Sequence, residues 1–194
     1  MPSKLETLLQ DISRCNLCAT SLPYRPRPVL RAGENAKILV IGQAPGTRVH
    51  ASGIPWDDPS GHRLRQWMNL TDDQFYDTDQ IAIMPMGFCY PGKGRSGDLP
   101  PRPECARQWH SKIREQLPHI QSTLLIGQYA QKYYLPDSFK TLTERVAHWQ
   151  EFAPEYFVLP HPSPRNQFWL QQHRWFENEV VPQLQNTVSA ILSS

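Results

Sequence analysis

Four cysteines have the spacing that most directly indicates a chemical role in this chain. Cys15 and Cys18 form a Cys-x2-Cys pair, and Cys89 and Cys105 stand at either end of a loop rich in glycine and proline. The thiolates of such a pair can converge on one metal ion or cluster. The four positions therefore predict a zinc site or an iron–sulfur cluster that joins the loop to the N-terminal segment. The alternative is four unrelated cysteines, two of them buried as small apolar side chains.

A second candidate site lies where an apolar run ends. Ile38-Leu-Val-Ile41 leads directly into Gly42-Gln-Ala-Pro-Gly46, and Trp56 follows between two prolines. A buried parallel strand typically ends in this way at a ligand site, because glycine lets the backbone approach a ligand closely. The pattern predicts a pocket with a backbone floor and an aromatic wall.

His161 is the one histidine of seven that we single out. It follows the apolar run Phe157–Leu159, lies between two prolines, and precedes Ser163, Arg165 and Asn166. The carboxyl ends of parallel strands share one edge of a sheet, so His161 is expected beside the Gly42–Gly46 loop. The alternative is an ordinary surface histidine.

Strands and helices alternate in a way that positions these groups. Strands are predicted at 38–41, 80–84, 122–126 and 157–159, and helices at 3–14, 61–70, 104–116, 128 onward and 176–192. Ser3 and Glu6 fit a capping box for the first helix. The alternation predicts a parallel sheet with right-handed crossovers in one domain over residues 1–194, with long loops at 42–60 and 85–103.

The charge pattern is mildly basic. Lysine and arginine number 20 and acidic residues 18 in the whole chain. Between Ile12 and Trp56, however, there are six basic residues and a single acid, Glu34. Such a segment either meets phosphates or forms a solvated basic face. There is no apolar run long enough to span a membrane and no apolar signal-peptide core, so we expect a cytoplasmic protein with reduced cysteines.

Across roughly residues 10–170 the chain resembles the uracil-DNA glycosylase superfamily. The resemblance rests on Gly42-Gln-Ala-Pro-Gly46, Gly53-x-Pro-Trp56, Ser60-Gly61, His161-Pro-Ser-Pro-Arg-Asn166 and the four cysteines. The cysteine spacing is similar to the iron–sulfur branch, and the histidine motif is more similar to the single-strand-selective monofunctional branch. The family fold is a three-layer α/β/α sandwich with a four-stranded parallel central sheet, which matches the strand count above.

The resemblance implies a role for each motif. Gly42, Gln43 and Ala44 would cradle a flipped base, with Gln43 at its edge, and Trp56 would stack on it. His161 would hydrogen-bond the uracil O2 and stabilise the leaving base. Ser163, Arg165 and Asn166 would press into DNA. The four cysteines would hold a structural [4Fe–4S] cluster, with zinc as the alternative.

The implied activity is hydrolytic release of uracil or another deaminated base from DNA by a monomer that needs no protein partner. Three positions depart from the family pattern: Ala44 where a water-activating side chain can stand, Gln43 where glutamate is usual, and Pro85 where an asparagine reads the base. Asp57 and Asp58 either position water or, as we favour, cap a helix or lie in solvent. The departures keep two alternatives open: an inactive nucleic-acid-binding protein, or a hydrolase of nucleosides or small ligands.

Overall fold

A four-stranded parallel sheet forms the centre of the protein. The computed structural model describes residues 1–136 and 138–194. Its strands are β1 (Ile38–Ile41), β2 (Ile81–Ile83), β3 (Lys93–Gly94), β4 (Gly97–Asp98), β5 (Ser122–Ile126) and β6 (Tyr156–Leu159). The central sheet has the order β2-β1-β5-β6, and β3 and β4 form a separate antiparallel hairpin. The four predicted strands and the predicted sandwich fold are confirmed.

The central strands are mostly apolar, because both faces of the sheet are covered. All four residues of β1 and all five of β5 are buried. Ile38 pairs in register with Ile81 on one side and with Ser122 on the other. The carboxyl ends of the strands therefore lie together along one edge of the sheet.

Ten α-helices surround the sheet within the described residues. They are α1 (Lys4–Ser13), α2 (Thr47–Ser52), α3 (Pro59–Met68), α4 (Asp72–Phe75), α5 (Pro103–Cys105), α6 (Ser111–Arg114), α7 (Gln128–Tyr134), α8 (Leu142–Ala147), α9 (Gln167–Gln172) and α10 (Val181–Leu192). The π-helical segments Ala106–His110 and Phe176–Val180 lead directly into α6 and α10. The predicted capping box of Ser3 and Glu6 is present at α1.

The strand order determines how the helices form two layers. The chain moves outward from β1 to β2 through α3, then back past β1 to β5 through α6. Right-handed crossovers in opposite directions place α3 and α6 on opposite faces of the sheet. Helix α10 packs on α3, and α1 packs on α6, which completes the three layers.

A buried glutamine fixes the strand ends that carry the site. The Nε2 of Gln131, which is fully buried on α7, donates to the carbonyl of Leu125 at 3.0 Å and to that of Leu159 at 2.9 Å. The Leu159 carbonyl also accepts from the Gly127 N–H at 2.9 Å, so the glutamine adds a second hydrogen bond to it. The bridge holds the carboxyl ends of β5 and β6 together, directly before Gly127 and His161.

Two predicted loops contain regular structure. The 42–60 loop includes α2, and the 85–103 loop includes the β3–β4 hairpin. Sequence patterns missed both elements because they are too short to show a period, as are α4, α8 and α9. Across residues 1–136 and 138–194, no helix combines the length and apolar character needed to cross a bilayer.

Candidate active site

A cleft of about 690 Å³ opens at the carboxyl edge of the sheet. Each of the four central strands is followed by at least one residue that lines it: Pro85 after β2, Gly42 after β1, Gln128 after β5 and His161 after β6. The structure thus brings the Gly42–Gly46 loop, Trp56 and His161 together, as the strand-end argument predicts. A cleft at this edge is the usual ligand site of an open α/β sheet.

Trp56 is held in a strained backbone conformation. Its φ is +59°, in the left-handed region that a tryptophan rarely adopts. Arg65 donates to its carbonyl at 3.1 Å, and the Tyr76 hydroxyl donates to the carbonyl of Pro55 at 2.7 Å. Local strain that the surroundings maintain is frequent where a side chain must point into a functional site. We conclude that these contacts aim the indole ring at the cleft.

The glycines beside Trp56 make room for it. A Cβ on Gly42 would lie 2.6 Å from Cζ2 of the Trp56 ring, and one on Gly61 would lie 1.7 Å from the Trp56 carbonyl oxygen. We expected Gly42 to let a ligand approach the backbone. Gly42 does line the cleft, and the absence of a side chain there also makes room for the indole, so the aromatic wall rests on the loop.

His161 presents a hydrogen-bond donor. The backbone N–H of Ser163 donates to Nδ1 of His161 at 3.2 Å. In the neutral imidazole the proton must then reside on Nε2, which leaves that atom as the donor. Burial lowers the pKa of His161 to about 4, so the ring is neutral at physiological pH. A neutral donor with a fixed tautomer suits an oxygen on which negative charge develops.

The rings of Trp56 and His161 are neighbours but do not stack closely. Their centroids are 5.6 Å apart and their planes are inclined by 32°. This separation leaves no room for a third ring between them. A planar ligand that stacks on Trp56 would therefore meet His161 at its edge, where the Nε2–H can reach an exocyclic oxygen.

The Gly42–Gly46 loop is tied to the segment after β2. The N–H groups of Met86 and Gly87 donate to the carbonyls of Gly42 and Gln43 at 2.9 and 3.0 Å. Gln43 and Ala44 both line the cleft. Ala44 has only a methyl group to offer, so it cannot orient a water molecule.

Pro85 gives the cleft wall after β2 no polar side chain. Its carbonyl is hydrogen-bonded to Nε2 of His110 at 3.0 Å, and Tyr134 contacts the other ring nitrogen. His110 is only 1% exposed, and burial lowers its pKa to about 4. The ring lies between Phe88 and Tyr134, with centroid distances of 5.7 and 5.9 Å. This histidine, which the sequence analysis did not single out, fixes the backbone of the cleft wall.

The loop after β6 is stabilised by its own side chains. Ser163 Oγ accepts from the Arg165 N–H at 3.2 Å, and Asn166 Nδ2 donates to the His161 carbonyl at 2.7 Å. Arg165 reaches the hairpin and donates to the Ser96 carbonyl at 3.3 Å. All three predicted residues line the cleft, and two of them also hold His161 in place.

Two carboxylates and two guanidinium groups give the cleft a mixed electrostatic character. Among the described residues the charged lining side chains are those of Arg48, Asp58, Asp98 and Arg165. Asp58 caps α3 by accepting from the Gly61 N–H at 2.7 Å, which is the role we favoured for it. Burial raises the pKa of Asp58. The lining residues do not include Asp57.

Gln128 and Asp98 were missed as lining residues. Gln128 follows β5 at the same sheet edge as His161, so the strand-end rule applied to Gly127-Gln128 would have found it. Asp98 lies on β4, which is only two residues long, and no sequence period indicates such a strand.

The four cysteines surround a separate small cavity. Cys15, Cys18, Cys89 and Cys105 all line it, together with Phe88, Arg102 and three apolar residues of the 22–28 segment. Burial raises the pKa of Cys89 to about 11 and that of Cys105 to about 12. Within the part of the chain that the structure describes, no group of three or more candidate ligands is arranged around a single ion. All four predicted cysteines line one cavity, although among the described residues they do not form a metal-binding group as folded.

This cavity and the cleft are connected through one segment. Pro85 lines the cleft and Cys89 lines the cavity, and the Phe88 N–H between them contacts Cys105 Sγ at 3.5 Å. Any group held by the cysteines would therefore stiffen the wall of the cleft.

A comparison with known protein families agrees with this geometry. The family model described as the uracil DNA glycosylase superfamily matches residues 31–185. The matched range includes the whole central sheet and every residue that lines the cleft except Val29.

Proposed function

Because the chain belongs to the uracil DNA glycosylase superfamily, we propose that it releases uracil or another deaminated base from DNA by hydrolysis. The observation that carries this proposal is the pairing of Trp56 with the neutral Nε2 donor of His161 in one cleft. Trp56 supplies a stacking face for a base that has left the helix, and His161 supplies a donor at the edge of that base.

The reaction requires charge stabilisation on both sides of one bond. The bond between the base and C1′ of the sugar breaks, and both electrons leave with the base. The Nε2–H of His161 stabilises the resulting negative charge on a base oxygen. The Asp98 carboxylate, which lines the cleft, would stabilise the positive charge that develops on the sugar. A water molecule then adds its oxygen to C1′ and loses one proton, and the released base anion takes up that proton, so the products are a neutral base and an abasic sugar.

Which bases the protein can release depends on the groups that can hydrogen-bond to the edge of the base. Pro85 offers no side-chain donor or acceptor, whereas the amides of Gln43 and Gln128 line the cleft. An amide can donate and accept, so it can adapt to more than one edge pattern. We therefore propose a tolerant pocket for deaminated bases.

The test is incubation of the purified chain with oligonucleotides that contain uracil, hypoxanthine or xanthine, in single-stranded and duplex form. Alkali-sensitive abasic product is expected from at least one of them. Salt-dependent DNA binding without product would favour a non-catalytic nucleic-acid-binding role, for which Ala44 is the supporting observation. Stabilisation by free nucleosides with no DNA affinity would favour a small-ligand hydrolase.

Phe168 is the residue we assign to filling the space that a flipped base leaves in a duplex. It stands two residues after Asn166 on α9, and 68% of it is exposed. Apolar wedges that enter a base stack are common in proteins that distort DNA. Phe168→Ala should slow release from duplex DNA about tenfold or more. Release from single-stranded DNA should be unchanged, since that substrate has no stack to fill, and equal losses on both would contradict the assignment.

We propose that Cys15, Cys18, Cys89 and Cys105 hold a [4Fe–4S] cluster, with zinc as the alternative. The donor set supports this proposal, because the four thiols line one cavity. Burial and the Glu104 carboxylate raise the pKa of Cys18, and the Arg102 guanidinium offsets only part of that rise. Four thiolates suit either metal centre. The cluster would supply structural support to the segment between Pro85 and Cys89.

Metal analysis of the purified chain tests the cysteine proposal. Brown protein with equal amounts of iron and acid-labile sulfide is expected, and Cys105→Ser should lose both together with thermal stability. Colourless protein with one zinc per chain would support the alternative. Metal-free protein that melts as a fully folded chain would contradict both.

A further inference from the structure

An aromatic surface lies next to the cleft but is not part of it. Tyr24, His50 and Tyr90 form a three-ring cluster, which we call the Tyr24 platform. The Tyr24 ring lies 5.3 Å from that of His50 at 27°, and 6.0 Å from that of Tyr90 at 22°. Tyr90 is buried, whereas 57% of Tyr24 is exposed. Tyr24 thus ends the cluster at the surface, where its free face can accept another flat ring.

The platform has a basic border. A cavity of about 350 Å³ beside Tyr24 is lined by Arg25, Pro26, Arg27 and His50. Among the described residues, those that line this cavity include no acid. The Arg27 guanidinium is fixed by hydrogen bonds to the carbonyls of His50 and Ala51, at 2.6 and 2.7 Å. An exposed aromatic face beside fixed positive charge matches a nucleobase with its phosphate.

The platform and the cleft share two elements. Helix α2 contributes Val49 to the cleft and the next residue, His50, to the platform. The segment after the hairpin contributes Leu99 to the cleft. Leu99 and Pro23 both lie beside Gly92, and Pro23 directly precedes Tyr24 in the chain. The platform is therefore within reach of a nucleic-acid strand whose base occupies the cleft.

We infer that the Tyr24 platform binds an unpaired nucleobase of the DNA strand that enters the cleft. The inference rests on the proposed function for its substrate class. Bases of an intact duplex are stacked on both faces, so only an unpaired base can present a free face to Tyr24. The platform therefore selects single-stranded DNA, while the cleft selects the damaged base.

The test measures binding of a fluorescent oligothymidylate that contains no damaged base, which separates it from any failure of base release. Tyr24→Ala should weaken binding between about fivefold and about a hundredfold, the range expected for loss of one stacked base. Tyr24→Phe keeps the ring and should bind like wild type. The matched control is Tyr133→Ala, because Tyr133 is 49% exposed and lies outside both cavities.

Salt dependence distinguishes stacking from charge. Tyr24→Ala should leave the slope of log K against log salt unchanged, whereas Arg25→Ala should reduce its magnitude by about 0.7. The inference is overturned if wild type does not bind the strand, if Tyr24→Ala binds as wild type does, or if Tyr133→Ala loses as much. An equal loss of duplex affinity in Tyr24→Ala would also overturn it. The melting temperatures of the variants and of wild type are measured as well, and equal values show that all of the compared proteins are folded.

Discussion

Replacement of His161 with alanine should lower the single-turnover rate of base release by about a hundredfold to a thousandfold, the usual effect of removing one donor from a developing oxyanion. The donor is the Nε2–H, whose position is fixed because Nδ1 accepts from the Ser163 N–H. The affinity for DNA should change much less, because the variant keeps the Tyr24 platform and the arginines that line the platform and the cleft. His161→Gln, which keeps a donor, should recover part of the lost rate.

The pH dependence of the same reaction gives a second check on His161. Burial holds its pKa near 4, so the ring stays neutral, with Nε2–H as donor, throughout the range above about pH 5. No step in rate is expected near pH 6.5, where an exposed histidine titrates. A change in rate near pH 6.5 that is present in wild type and absent in His161→Ala would contradict the assignment of a neutral donor. An unchanged rate of base release in His161→Ala would contradict any role of this ring in the reaction.

Acidification should destabilise the folded protein through His110. Its pKa is about 4 in the folded chain against 6.5 as the ordinary value, so the unfolded state binds the proton more readily. This contribution to stability is complete above about pH 6.5 and is lost as the pH falls toward 4. The difference corresponds to about 3 kcal/mol of unfolding free energy.

Urea unfolding at pH 7, 5 and 4 measures this effect. His110→Gln removes the titrating ring, so the variant should be less stable than wild type at pH 7 but should lose less stability on acidification. The lower stability at pH 7 follows from the lost contacts with Pro85, Phe88 and Tyr134. The same substitution at the exposed His62 is the control. Wild-type pH dependence in His110→Gln would show that other groups cause the acid transition.

The sequence predicted the parts of the site that depend on strand ends. Aliphatic runs such as Ile38–Ile41 mark buried parallel strands, and the carboxyl ends of such strands must share an edge. This rule was sufficient to place His161 beside the Gly42–Gly46 loop. It applied equally to Gln128, which we overlooked because no chemical motif surrounds it.

The remaining features depend on contacts between residues distant in the sequence. The left-handed backbone of Trp56 is supported by Arg65 and Tyr76, and nothing in the local sequence requires it. The hydrogen bond from His110 to the Pro85 carbonyl spans 25 residues. Such contacts follow from the packed fold, so a reading of periods and motifs could not provide them.

A base removed from the DNA stack should rest on Trp56 with one of its oxygens at His161. The most direct measurement is a crystal structure of the chain with a single-stranded oligonucleotide that carries 2′-fluoro-2′-deoxyuridine, whose glycosidic bond resists cleavage. We predict a uracil ring in contact with the face of Trp56 and a base oxygen about 3 Å from Nε2 of His161. A uracil bound outside the cleft, or one whose oxygens do not face His161, would contradict the account.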